Sequence, residues 1–481
     1  MNLRDTLVRN TFWYGAVTVL GLLSGLLMSV VLARGLGPAR MGDYTYLLWG
    51  SRMMVTLAAL GFGLATVRYT AEAFARGNPP LARGFLALFL RRQIVATTAV
   101  AALLVPLIVW VAPADLRWPF LAAIIALFPT TIEQVYTQAV QGAQRYDLTA
   151  LTSTVKMTLH LVAAVIAVSA GLDILGLVIG MTLGTTVSCV LQRQRALGLY
   201  PRAETEVPPD TRREVRAFLV PLSVVVLLDA LVWDRSEVFF LRLYASSTDI
   251  AFYSLAFGLA TKAMILPEVF VGALLPALSA LHGRGAPAEF ARVYRTALRY
   301  VALAGAPIAV VGWALAPGLI TLLYGEPYRP AAWLFQLLVG VAVLAAMRKV
   351  AWAALRAVGD RSAALHATWV AAVLNVGLAA LLIPSLGTVG AVIANTAAQV
   401  IASVWAFSAM ARTHGCRFPL GDVAKIAAAA AVALVASWSV GQDSAEPLRL
   451  VIAAVVGFGA YLAACVALRV VGSAEYSLLL T

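Results

Sequence analysis

Residues 12–33 read FWYGAVTVLGLLSGLLMSVVLA, an apolar run without a charged side chain. A membrane-spanning α-helix needs about 20 apolar residues, because it rises about 1.5 Å per residue through a hydrocarbon core about 30 Å thick. Arg4 and Arg9 precede the run, as in a signal peptide, but the run is longer than the apolar region of a cleaved signal. We therefore expect a retained first membrane helix.

Similar runs recur along the whole chain and predict an all-α polytopic membrane protein. Of the 481 residues, 61% are hydrophobic and only 12% are charged, about half the charged fraction of a soluble domain. A chain this poor in charge cannot cover a surface that faces water, so lipid must be its main solvent. We predict fourteen spans, at residues 12–33, 44–65, 94–112, 118–139, 148–169, 174–191, 217–241, 250–274, 298–322, 331–347, 363–383, 389–410, 426–440 and 450–468.

The basic residues divide unevenly between the loops on the two sides of the predicted helices. If the N-terminus is cytoplasmic, the external loops contain only six of the 36 Lys and Arg residues. Cytoplasmic loops of membrane proteins carry such an excess, so both termini are predicted to be cytoplasmic. The formal charge of +13 is therefore a topology signal, and nucleic acid is not expected as a partner.

The two halves of the chain resemble each other. Gly171 and Gly176 follow the fifth span as Gly387 and Gly390 follow the eleventh. We expect two pseudo-symmetric six-helix lobes, an arrangement in which transporters bind substrate between the repeats. The predicted parts are an N-lobe at 1–191, a cytoplasmic linker at 192–216, a C-lobe at 217–410 and a C-terminal helix pair at 411–481.

Four motifs, spread over most of the chain, resemble those of a known family. They read VLARGLGPARMGDY at 31–44, WDRSE at 233–237, LYGEPY at 323–328 and IPSLGTVGAVIA at 383–394. They are similar to the motifs of polysaccharide transporters, the Wzx-type oligosaccharide flippases of the multidrug/oligosaccharidyl-lipid/polysaccharide (MOP) superfamily. The resemblance implies a MOP flippase-like fold.

The resemblance also implies an activity. Such a flippase moves a polyprenyl-diphosphate-linked oligosaccharide from the cytoplasmic to the external leaflet of the bacterial cytoplasmic (inner) membrane, for O-antigen, capsule or exopolysaccharide biosynthesis. Its expected partners are an undecaprenyl-diphosphate-linked glycan, membrane lipid, and a polymerase and chain-length regulator of the same pathway. The chain contains no P-loop, so we expect no ATP hydrolysis. As for a transporter, we expect no enzyme activity, metal or cofactor, and H⁺ or Na⁺ as the coupling ion.

Ionisable residues inside spans are costly unless they face a cavity or a partner, so each marks a candidate site. Arg52 and Lys262 occupy matching places in the second and eighth spans. Two cations that face each other across a cavity would suit a diphosphate. Alternatively, each pairs with a carboxylate such as Glu268. Arg34 and Arg40 flank a tight external turn and either guide the exiting diphosphate or belong to a plain helix connection.

Asp229 lies near the middle of the seventh span, without an adjacent basic residue. The family resemblance implies a coupling cation in the C-lobe, where Asn375 and Thr396 could add oxygen ligands, which hard cations prefer. A structural Asp229 that is bonded to a serine is the alternative.

Other charged residues have simpler interpretations. Glu133 and Lys156, on adjacent helices, are predicted to form a buried ion pair. Asp234, Arg235 and Glu237 lie near the external end of the seventh span and are interpreted as an interfacial network. Residues 279–300 carry apolar and arginine side chains at helical spacing, which predicts either an amphipathic helix at the cytoplasmic interface or an ordinary basic loop helix.

Three other functions remain open. A multidrug-type antiporter of the same superfamily would share the lobes, but its cavity would favour acids and aromatics over Arg52 and Lys262. A membrane glycosyltransferase or polymerase needs catalytic residues on sizeable external loops, and the longest external loop here is 34–43. A scaffold for envelope assembly would need no transport site.

Overall fold

The computed structural model describes residues 3–202, 205–233, 236–272, 274–441 and 445–470. Within these ranges, it describes the side chains except those of residues 3–8, 11, 225, 228–233, 266, 269, 270, 272, 361–365, 367 and 368. The described residues form helices joined by short connections and divide into two units, Met1–Asp234 and Arg235–Thr481.

Seven helices form the first unit. In this unit α4 packs against α3 and α6, and α1 packs against α5. The helices are α1 (Leu3–Ala59), α2 (Phe62–Ala75), α3 (Pro79–Val111), α4 (Arg117–Gly142), α5 (Tyr146–Ser169), α6 (Ile174–Leu199) and α7 (Pro209–Trp233).

The second unit begins with short helices and continues with long ones. In this unit α14 packs along α15, α16 packs along α17, and α12 packs against both α13 and α16. The helices are α8 (Glu237–Tyr244), α9 (Ser247–Ala263), α10 (Ile265–Gly272), α11 (Leu274–Gly283), α12 (Pro287–Tyr324), α13 (Ala331–Ala357), α14 (Arg361–Leu386), α15 (Thr388–His414), α16 (Leu420–Gly441) and α17 (Pro447–Ala467), with a 3-10 turn (Glu326–Tyr328) after α12.

Gly37 divides α1 into two helical segments. Its φ of 73° and ψ of 169° lie outside the helical region, and a positive φ of this kind is accessible mainly to glycine. Pro38 follows and has no backbone N–H to continue the ladder of hydrogen bonds. The turn predicted from the sequence is therefore a break between two helical segments.

A matching helix hairpin occurs once in each unit. Gly171 joins α5 to α6 with a φ of 65°, and Gly387 joins α14 to α15 with a φ of 54°. Both positions need a positive φ, which a side chain would strain. Gly171 and Gly387, two of the glycines that suggested a repeat in the sequence, thus each lie in a connection between two packed helices.

Eleven helices of the described residues are long and apolar enough to cross a membrane. The first of them, Phe12–Ala59, covers the first predicted span and most of the second, which ends on α2. The predicted seventh span falls on α7 and α8, and the eighth on α9, α10 and the first residue of α11. Large apolar side chains such as Leu103, Trp110 and Val435 are exposed on helix surfaces, which suits lipid as the surrounding solvent. The chain is an all-α, multi-pass membrane protein, as the sequence predicts.

The segment between α6 and α7 is tied to the first unit. The amide of Thr205 donates to the Pro80 carbonyl at 3.1 Å, and the Tyr200 hydroxyl donates to the Ala139 carbonyl at 2.9 Å. Burial raises the pKa of Tyr200 to about 12, so the hydroxyl stays protonated even in mildly alkaline solution. The residues predicted as a linker, 192–216, thus include the end of α6, a connection packed on α3, and the start of α7.

Candidate functional site

A cavity of about 430 Å³ lies among α1, α4, α5 and α6 of the first unit. Most of its lining is apolar or carries hydroxyl groups. Its charged lining residues are Arg52, Glu133 and Lys156, and His160 also contributes. With the histidine neutral, two cations and one carboxylate give this lining a net positive charge.

The carboxylate in this cavity is fully engaged. Lys156 Nζ donates to both oxygens of Glu133, at 2.9 Å each, and Ser188 Oγ donates to Glu133 Oε1 at 2.6 Å. The Glu133 side chain is 5% exposed and that of Lys156 is 31% exposed. The predicted ion pair is confirmed, and through Ser188 it connects α4, α5 and α6.

A neutral polar contact lies beside this pair. His160 Nε2 and Thr185 Oγ1 share a hydrogen bond of 3.0 Å between α5 and α6. A Cβ atom at Gly184 would lie 2.9 Å from His160 Cδ2, so the missing side chain lets the ring pack close to α6. One wall of the cavity is therefore held by side-chain contacts between helices.

The predicted substrate residues of the first unit have different surroundings. Arg52 is exposed, lines the cavity and lies in the second segment of α1, and Arg34 is exposed near the end of the first segment. Arg40 faces three carboxylates: Asp173 at 3.2 Å, Asp115 at 3.7 Å and Asp43 at 3.8 Å. Arg40 thus links α1 to two loops of the same unit. A role for Arg34 or Arg40 in guiding a diphosphate stays a prediction.

The second unit contains a buried polar cluster, made up here of Ser236, Glu237, Asn375 and Asn395. Asn395 Nδ2 donates to Glu237 Oε1 at 3.0 Å, and Asn375 Nδ2 donates to Ser236 Oγ at 3.3 Å. Glu237 is 0% exposed. The sequence interpretation placed it in an interfacial network, whereas the structure buries it against an asparagine of α15.

Other predicted residues of the second unit lie on α9, α10 and α15. Thr396, in α15, is half-buried, and Lys262 is half-buried in the last turn of α9. Glu268 pairs with Lys349 at 2.6 Å. Because Arg52 and Lys262 belong to different units, their predicted apposition across a cavity stays a prediction.

For three charged residues with predicted roles, the structure does not describe the side chain. Asp229 lies within α7, but its side chain is not among those described. Asp234 and Arg235 lie outside the described residues altogether. The predicted coupling role of Asp229 therefore stays a prediction.

A profile described as "Polysaccharide biosynthesis protein" matches residues 7–282, more than half of the chain. The chain belongs to the polysaccharide biosynthesis protein family of the MOP superfamily. A second profile, described as "Lipid II flippase MurJ", matches residues 157–444 of this family member.

Solved structures give the same fold for this polysaccharide biosynthesis family member. The lipid II flippase MurJ, in an inward closed conformation, has a TM-score of 0.78 at 13% identity, over 95% of this chain and 98% of that one. A multidrug resistance MATE family transporter in an inward-facing conformation has a TM-score of 0.69 at 17% identity, over 81% and 94%. No curated protein sequence matches the chain.

A third solved structure extends the likeness within the superfamily. It is a MOP superfamily transporter from Pyrococcus furiosus, with a TM-score of 0.58 at 17% identity, over 83% of this chain and 94% of that one. At these identities, the likenesses show the fold alone. The MOP flippase-like architecture predicted from the sequence is confirmed.

Proposed function

We propose that the protein is a flippase that moves a lipid-linked oligosaccharide diphosphate from the cytoplasmic to the external leaflet. The observation that carries the proposal is the net positive lining of the first unit's cavity, at membrane depth, around Arg52. A guanidinium presents a planar set of donors that matches phosphate oxygens, and such contacts are stronger in a cavity shielded from water. The two family profiles, one for polysaccharide biosynthesis and one for lipid II flipping, support this class of cargo.

A multidrug-type antiporter is the second candidate, since MATE transporters share the fold. A cavity for cationic drugs would need carboxylates that face the cargo. In the described cavity, Glu133 accepts hydrogen bonds from Lys156 and Ser188. Removing it from those partners to bind a cation would leave Lys156 without its counter-ion, at a cost of several kcal/mol. The charge of the cavity thus favours an anionic cargo.

The proposed transport is driven by an ion gradient through alternating access, and the buried polar cluster of the second unit is the proposed coupling site. Glu237 is a fully buried carboxylate in a unit that contains membrane-spanning helices. Burying an ionisable group there costs free energy, so such residues usually have a function. Asn375 Oδ1 and Thr396 Oγ1 are buried oxygens without a hydrogen-bond partner among the described residues. Carboxylate, amide and hydroxyl oxygens are ligands for a hard cation, and a proton on Glu237 would serve equally.

The proposal places the protein in the bacterial cytoplasmic membrane, in a pathway for O-antigen, capsule or exopolysaccharide. Its cargo would be an undecaprenyl-diphosphate-linked glycan, delivered to a polymerase and a chain-length regulator. The excess of basic residues in predicted cytoplasmic loops supports cytoplasmic termini.

Export in cells tests the proposal. The chain is expressed in a bacterial strain whose own polysaccharide flippase gene has been removed, and surface glycan is measured against protein abundance. We expect surface glycan with the wild-type chain, strong loss with Arg52→Ala at normal abundance, and partial retention with Arg52→Lys. Normal export by Arg52→Ala would contradict the role of the cavity.

A further inference from the structure

A second charged cavity, of about 330 Å³, lies in the second unit, between α12 and the connection from α15 to α16. We call it the arginine cleft. Four of its lining residues are arginines: Arg292, Arg295 and Arg299 on α12, and Arg417 on the connection. Asp422 is the single acidic lining residue. The lining therefore carries a strong net positive charge, and the proposed transport function does not use it.

The arginines line the same cleft because of helical spacing and a fixed loop. Arg292, Arg295 and Arg299 are three and four residues apart, so they lie on one face of α12. The opposite face, with Phe290 and Tyr294, is buried. Of the residues predicted as an amphipathic helix, 279–283 end α11 and 287–300 form the first turns of α12, whose polar face opens into the cleft.

The other wall of the cleft is held in place by packing. The ring centroids of Phe418 and Phe407 lie 4.7 Å apart, and the Cys416 amide donates to the Met410 carbonyl at 3.0 Å. Burial raises the pKa of the Cys416 thiol, against the opposing effect of the nearby Arg295 charge. Arg417 therefore extends from an ordered loop.

The charges in the cleft are only partly compensated within the chain. Arg292 pairs with Glu289 at 3.3 Å, at the exposed surface, and Arg299 donates to the Val470 carbonyl. Arg295 Nε donates to the Ala291 carbonyl, its own helix backbone. In the described part of the chain, neither Arg417 nor Asp422 forms an ion pair. In the described part of the chain, the guanidinium groups of Arg295 and Arg417 thus line the cleft without a carboxylate partner.

The depth of the cleft identifies the kind of anion. On α12 the continuously apolar sequence begins at Val301, two residues after Arg299, and on α16 it begins at Ile426, one turn after Asp422. Both helices therefore enter the apolar layer just beyond the cleft, which places the arginines at the level of lipid headgroups. Basic pockets between membrane helices bind phosphate-bearing headgroups at this level.

We propose that the arginine cleft binds the phosphate of an anionic phospholipid headgroup. The lipid would be a resident or regulatory ligand of the second unit, separate from the transported cargo. Arg295 and Arg417, on opposite walls, are the residues that would hold the phosphate between them. The proposal goes beyond the proposed transport function and does not depend on it.

Lipid binding to the purified full-length chain tests this. The probes are phosphatidylglycerol, phosphatidic acid, phosphatidylcholine and inorganic phosphate, and the readout is lipid retained in native mass spectrometry during titration in neutral detergent. The test variant is Arg295→Ala with Arg417→Ala. The matched control is Arg284→Ala with Arg412→Ala, which removes two exposed arginines outside the cleft. Arg295→Lys with Arg417→Lys keeps the charge but loses the fork of donors.

We expect the wild-type chain to bind both anionic lipids more tightly than phosphatidylcholine. The cleft variant should lose about tenfold or more in affinity, because it removes both guanidinium groups that would donate charge-assisted hydrogen bonds to the phosphate. The lysine variant should fall between, and the control should match the wild type. Equal loss in the control would show that only net charge matters and would overturn the proposal. Displacement of the lipid by millimolar inorganic phosphate would also overturn it, in favour of a soluble anion.

Discussion

Lys156 Nζ lies 2.9 Å from each carboxylate oxygen of Glu133. The contact joins two helices of the first unit at the wall of its cavity, and Ser188 adds a third helix. The pair therefore has two consequences. It stabilises the unit, and it leaves Arg52 as the charged lining residue outside the Glu133–Lys156 pair.

The first prediction concerns the stability of this pair. Lys156→Met and Glu133→Gln should each lower the unfolding temperature in detergent, with a loss of about 1–3 kcal/mol, because each leaves one buried polar partner uncompensated. The double variant should cost less than the sum of the two single variants. A double-mutant cycle by thermal unfolding measures the difference, and simple additivity would show that the two groups do not interact.

The second prediction concerns the close approach of the α6–α7 connection to α3. A Cβ atom at Gly84 would lie 2.0 Å from the Thr205 carbonyl oxygen, which belongs to the backbone and cannot rotate away. Gly84→Ala should therefore destabilise the protein by about 1–3 kcal/mol. Gly198→Ala, in α6, is the matched control, because a Cβ atom there has no neighbour within 4 Å. Equal unfolding temperatures for the two variants would contradict this packing.

The third prediction concerns ion coupling. Glu237→Gln should preserve folding, because the amide oxygen can still accept from Asn395, but it should flatten the dependence of transport on a pH or Na⁺ gradient. Asp229→Asn, the variant suggested by the sequence, is measured in the same proteoliposomes. An unchanged ion response in Glu237→Gln would remove Glu237 from the coupling mechanism, whichever result Asp229→Asn gives.

The fourth prediction concerns topology. Reporter fusions within residues 192–208 and after residue 481 should both report the cytoplasmic side, because an even number of spans separates them. Opposite signals would change the number of spans in the second half of the chain. The excess of basic residues in these segments is the reason for the expected orientation.

The sequence was sufficient for the features that depend on local pattern. Apolar run length predicted the helices, and opposite charges on adjacent spans predicted the pair of Glu133 and Lys156. The position of Gly37 and Pro38 predicted a turn, and the structure has a break between two helical segments there. The amphipathic segment was also visible, but hydropathy could not show that it continues directly into the next span as α12.

Contacts between residues far apart along the chain could not be predicted from the sequence. Glu237 bonds to Asn395 across 158 positions, and Arg40 reaches Asp173 across 133. No periodicity connects such pairs, because their contact depends on how separate helices pack. For the same reason, the sequence did not show that Glu237 is buried. An acidic residue within an apolar region was nevertheless a signal, and it could have favoured a buried site over an interfacial network.

The most direct measurement is the flipping of labelled lipid in proteoliposomes. A fluorescent polyprenyl-diphosphate oligosaccharide is placed in both leaflets, and the fraction in the external leaflet is followed by reduction with a membrane-impermeant quencher. The account predicts that wild-type protein makes the inner-leaflet lipid accessible, that Arg52→Ala loses most of this activity, and that Glu133→Gln with Lys156→Met keeps more of it. It also predicts that a cationic dye is not transported. Unchanged flipping by Arg52→Ala, or transport of the dye without the lipid, would contradict the account.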